Sequence, residues 1–90
     1  MIAIVGGGLA GSLAAAMLGR AGIDTVAVCG IVTNGGVAST ARDAHMRDYR
    51  VIVPADGCAA FGDERHTAAL ADMRTVAEIG DCAGLAAALA

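Results

Sequence analysis

The chain has 90 residues, a net charge of −3 and 57% hydrophobic side chains, with one Phe and one Tyr among them. Its six basic residues are all arginines, scattered along the chain, which excludes the basic stripe of a nucleic-acid surface and disfavours an anionic membrane surface. A chain of this length is one domain, with a core built from Ala, Val, Ile, Leu and Met.

Four apolar bursts predict strands over Ile2–Val5, Thr25–Cys29, Val51–Val53 and Val76–Ile79. The first three are continuous runs, as expected of parallel strands covered on both faces. Glu78 suits the fourth to a sheet edge. Helices are expected over Ala10–Arg20, Val37–Asp48, Asp63–Arg74 and Cys82–Leu89. In the second, Val37, Ala41 and Ala44 share one face. In the third, His66, Leu70 and Met73 do so, and Asp63 is expected to cap the N-terminus. The first and last helices are apolar all round, which marks burial on several sides or an interface. Met1–Gly19 carries no charge, but it lacks a basic leader and is broken by three glycines. It reads as strand, turn and helix rather than as a signal peptide or membrane span.

The pattern predicts an α/β fold: a Rossmann-like, four-stranded parallel sheet, βαβαβαβα, with right-handed crossovers. Strand order 1-2-3-4 is expected, with 2-1-3-4 as the alternative. In the first order the leading helices share one face, and the tail helix or a second subunit covers the other. Strand Ile2–Val5 is then an apolar edge, so a homodimer is the expected assembly.

Gly6-Gly-Gly8-Leu-Ala-Gly11 follows a strand and opens a helix. Glycines at these spacings permit a tight turn, close approach of a pyrophosphate and close helix–strand packing. Residues 1–22 resemble the dinucleotide-binding unit of flavoprotein monooxygenases. That resemblance implies a cofactor-binding loop at Gly6, Gly8, Gly11 and Ser12. The acidic residue that the family places after its second strand is replaced by Val28-Cys29-Gly30. The loop is therefore expected to be vestigial or weak, with no cofactor required and FAD, NAD or ADP as its weak ligands.

A second set of motifs begins after Gly22. Val26-Ala-Val-Cys-Gly30, Thr33-Asn-Gly-Gly-Val37 and Thr40-Ala-Arg-Asp-Ala44 are followed by Tyr49-Arg-Val-Ile-Val-Pro54, Asp56-Gly-Cys-Ala59 and His66-Thr-Ala-Ala-Leu70. Residues 24–90 resemble the C-terminal half of the isochorismatase-like cysteine hydrolases, which include nicotinamidases. The resemblance implies a nucleophilic cysteine at a helix start, where the dipole favours a thiolate. That position is Gly36 here. It also implies an aspartate and a lysine from the family's N-terminal half; the chain has no lysine, and no segment matches that half. Thiolate attack on an amide or ester is not assembled from these residues, and neither Cys29 nor Cys58 is expected to substitute. Thr33, Asn34 and the following amides remain able to hold an anion.

Cys29, Cys58 and Cys82 are far apart in sequence and have no C-x-x-C spacing. They read as reduced, buried thiols of a cytoplasmic protein. His45 and His66 lack metal-ligand spacing; the first is expected on a helix surface and the second in packing. No metal site is expected.

These readings combine into one hybrid domain over residues 1–90, joined near Gly22–Val26 from a 1–23 dinucleotide-binding-like part and a 24–90 isochorismatase-like part. The expected function of such a chimera, natural or designed, is that of an inactive folding scaffold. A weak nucleotide-binding module through Gly6–Gly11 is the alternative, and a residual cysteine hydrolase comes third.

Overall fold

The computed structural model describes residues 2–6 and 22–89. Gly8, Gly11 and Ser12, with the helix expected over Ala10–Arg20, lie outside the described residues. Strands β1 (Ile2–Gly6), β2 (Thr25–Ile31), β3 (Arg50–Pro54) and β5 (Glu78–Gly80) form a parallel sheet in the order β1-β2-β3-β5. The four expected strands thus lie in chain order, as the first of the two predicted arrangements has them. The last strand starts two residues later than expected. Val76 and Ala77 instead close a turn, both amides donating to the Met73 carbonyl at 2.9 and 2.8 Å.

A fifth strand, β4 (Cys58–Ala59), has only two residues and escaped the sequence reading. Its cause is local. β3 pairs with β2 from Thr25↔Arg50 to Ala27↔Ile52 and ends at Pro54, which has no amide hydrogen to continue a ladder. A 3₁₀ turn over Ala55–Gly57 redirects the chain. β4 then takes over the pairing of β2 at Gly30↔Cys58 and Ile31↔Ala59. This handover extends the C-terminal end of β2 beyond the rest of the sheet.

Alternation sorts the side chains of the sheet. Val26, Val28, Val51 and Val53 face one core, with Val5. Against them pack Val37, then Ala38, Ala41 and Ala44 of helix α1 (Ala38–Met46), and Met73 of helix α2 (Asp63–Met73). The alanine stripe lets α1 lie close to the strands, and Met73 fills the remaining space with no exposed surface. Helix α3 (Cys82–Leu89) lies by the sheet's other face, where Ile52, Leu85 and Ala88 line one groove. None of its residues is fully buried. Among the described residues no helix is long and apolar enough to cross a membrane.

The helix ends follow capping chemistry. α1 stops short of the expected Asp48. Asp48 has φ 67°, its amide donates to the His45 carbonyl and the Tyr49 amide to the Ala44 carbonyl. This is a Schellman ending with aspartate where glycine is usual. Asp63 does not cap α2; Gly62, at φ 117°, holds that position, and Asp63 and Glu64 occupy the first turn. They act there through the helix dipole. Asp81 caps α3, accepting from the Gly84 amide at 2.6 Å.

Candidate functional site

The C-terminal ends of parallel strands gather ligand-binding groups because loops and helix starts converge there. Here β2 delivers Gly30 and Ile31 to a five-residue π-type turn, Thr33–Val37, which runs without a break into α1. Gly30 has φ 108°, a left-handed backbone that favours glycine. The turn is closed by the Val32 carbonyl, which accepts from the Gly35 amide at 2.9 Å and the Val37 amide at 3.2 Å. Gly35 is required by space: a Cβ there would stand 2.9 Å from the Val32 Cγ2. The Ile31–Val32 peptide bond is cis.

Thr33 anchors the turn. It is fully buried, and its Oγ1 lies 2.7 Å from His66 Nδ1 on α2. His66 is half-buried, so the sequence expectation of a packing residue holds, with a polar role added. His45 is exposed on α1, as expected. Asn34 is exposed beside Arg42, Arg65 and Asp72, in an open groove between the two helices. An Arg42–Asp72 ion pair bridges that groove.

The cysteines are not buried as expected: Cys29 and Cys58 are half-buried and Cys82 is exposed. Cys29 ends the β1-paired part of β2, Cys58 opens β4 and Cys82 opens α3. Their thiols are free, and Cys82 is exposed. Cys29 Sγ donates to the Val5 carbonyl and Cys58 Sγ to the Val28 carbonyl, each at 3.8 Å. Burial pushes the Cys58 thiol above its usual range, and the Cys29 thiol adds to that shift. Asp56 accepts from the Cys82 amide at 2.7 Å, and this bond holds its carboxyl below the usual range. In return, a side-chain hydrogen bond to Asp56 raises the Cys82 thiol. No spacing in the sequence signals this meeting, because it is made by the β3–β4 handover.

Gly6 is the exposed last residue of β1, paired with Cys29. Gly8, Gly11 and Ser12 lie outside the described residues.

The isochorismatase domain model matches residues 8–83. The chain belongs to the isochorismatase family. The match starts inside the stretch that resembles a dinucleotide-binding unit and runs across the expected junction near Gly22–Val26. The uncharacterized isochorismatase family protein YwoC of Bacillus subtilis is 51% identical over 53 residues, covering 59% of this chain and 28% of YwoC. An isochorismatase-like hydrolase from Alkaliphilus metalliredigens superposes with TM-score 0.79 at 35% identity, over 83% of this chain and 41% of that one. The nicotinamidase SaPncA from Staphylococcus aureus gives TM-score 0.68 at 33% identity, over 71% and 42%. This isochorismatase-family chain therefore spans less than half the length of these relatives.

The expectation of a non-catalytic folding scaffold is overturned by that membership, which is in a hydrolase-type family. That expectation rested on Gly36 and on the absent aspartate and lysine, and these do not outweigh the family match over residues 8–83. With glycine at position 36 the turn keeps buried Thr33 and its contact with His66.

Proposed function

We propose that the chain carries the turn half of a small-molecule hydrolase site, in which water and not an enzyme thiol attacks at the C-terminal end of β2. One observation carries this reading. A turn tied down by the Thr33–His66 contact presents glycine where the family resemblance puts cysteine. The turn keeps its fold without a thiol, so what glycine removes from this half of the site is covalent catalysis.

The chemistry favours one substrate class. Without a nucleophile, an amide loses the division of one hard step into two easier ones. An enol ether, the linkage broken in isochorismate, needs a proton on carbon and water on the resulting cation, with no enzyme nucleophile. The reading assigns the chain the frame of the site; the aspartate and lysine belong, by the resemblance, to the family's N-terminal half.

The test is binding of isochorismate, nicotinamide and pyrazinamide by the purified chain, followed by titration calorimetry. Saturable binding of isochorismate is expected, equal in a variant with Cys29→Ser, Cys58→Ser and Cys82→Ser combined. Binding of the two amides alone, loss of binding in the cysteine variant, or no binding of any of the three contradicts the proposal.

A further inference from the structure

Gly57 sits where the two ends of a potential cross-link meet. A Cβ at this residue would stand 3.1 Å from Cys82 Sγ and 3.5 Å from Cys29 Cβ. Pro54 Cγ would stand 3.2 Å from it as well, so glycine here lets the end of β2 and the start of α3 approach the turn closely. The two cysteines differ in access. Cys82 is exposed, whereas Cys29 is half-buried and donates to the Val5 carbonyl. This is the arrangement of an attacking thiol with a resolving thiol close by. Among the described residues no three His, Cys, Asp or Glu side chains are placed to hold a metal ion, so proximity of thiols is the chemistry to be explained.

We propose that Cys82 and Cys29 form a reversible oxidation site, in which exchange with a small disulfide such as glutathione disulfide joins them beside Gly57. The Cys82 thiol gives its proton to solvent, and the thiolate attacks one glutathione sulfur. The glutathione S–S bond breaks, and the first glutathione leaves as a thiolate that takes up a proton. Cys29 then gives its proton to solvent, and its thiolate attacks Cys82 Sγ and expels the second glutathione as a thiolate that takes up a proton. Two protein thiols are oxidised and one disulfide is reduced to two thiols. The new bond would tie the N-terminus of α3 to the strand that leads into the Thr33–Val37 turn. Asp56 restrains the reaction: its carboxylate beside Cys82 disfavours the attacking thiolate.

The site can be mapped directly, because arginines place the three cysteines on three different tryptic peptides. The reduced chain is incubated with oxidised glutathione, alkylated, digested and analysed by mass spectrometry. The expected product links the peptide holding Cys29 to the peptide holding Cys82 within one chain, and glutathione restores the free thiols. Cys29→Ser should stop at the glutathione adduct on Cys82, and Asp56→Asn should speed the first step several-fold at neutral pH. A linkage through Cys58, a disulfide between chains, a stable adduct on the unaltered protein, or no reaction at Cys82 overturns the proposal.

Discussion

The hydroxyl of Thr33 and Nδ1 of His66 lie 2.7 Å apart, and that contact fastens the turn after the central strand to α2. Thr33 is fully buried and His66 is half-buried, so the two ends of the bond have different alternatives when it is broken. His66→Ala leaves a buried hydroxyl without its partner, which costs about 1–3 kcal/mol. Thr33→Val removes the hydroxyl, and His66 can turn to water, so the loss should be smaller. Urea unfolding of both single variants and the double variant checks this. The double variant should be less destabilised than the sum of the singles; strict additivity would show that the contact carries no coupling.

Asp48 closes α1 with φ 67°, where a side chain is strained and glycine is at ease. Asp48→Gly should stabilise the chain by about 0.5–1 kcal/mol, the relief of left-handed strain less the extra entropy of the unfolded glycine. Asp48→Ala should destabilise it. Thermal unfolding of the two variants side by side reads the sign; a more stable alanine variant would refute the Schellman assignment.

Two groups give the chain opposite pH dependences. The Asp56 carboxyl is held below 3.8 in the folded state, mainly by the Cys82 amide. Its contribution is present above the unfolded value and is lost as pH falls through the folded value. The Cys58 thiol is held above 9.0 by burial, so the folded state keeps its proton longer. Its contribution is present below the unfolded value and is lost as pH rises through the folded value. Stability measured across pH should therefore fall at both ends. Asp56→Asn should flatten the acid side and Cys58→Ala the alkaline side. An acid limb unchanged in Asp56→Asn would remove that carboxyl from the explanation.

Much of this fold is legible in the sequence because its signals are local and repeated. Continuous runs such as Val26–Cys29 declare buried strands, and Val37, Ala41 and Ala44 declare the inward face of α1. Thr33-Asn34 after the second strand likewise points to the turn. What the sequence hides is contact made at a distance. β4 has two residues, too few for any period, and exists because Pro54 ends one ladder and the following turn begins another. The gathering of Cys29 and Cys82 at Gly57 depends on that handover, so their spacing of 53 positions in the chain carries no trace of it. Gly36 and the absent aspartate and lysine misled for a different reason. A missing side chain is conspicuous in a motif, while the partner of Thr33 lies 33 residues away on another helix.

The most direct test of the account is where a substrate touches the chain. Amide resonances of the isotope-labelled protein, followed during titration with isochorismate, report that residue by residue. Saturable shifts gathered at Gly30, Thr33–Val37, Cys58 and His66 are expected, placing the ligand at the end of β2. Shifts concentrated instead at Gly6–Ser12, or no saturable shift at the turn, would contradict a hydrolase site built on Thr33 and His66.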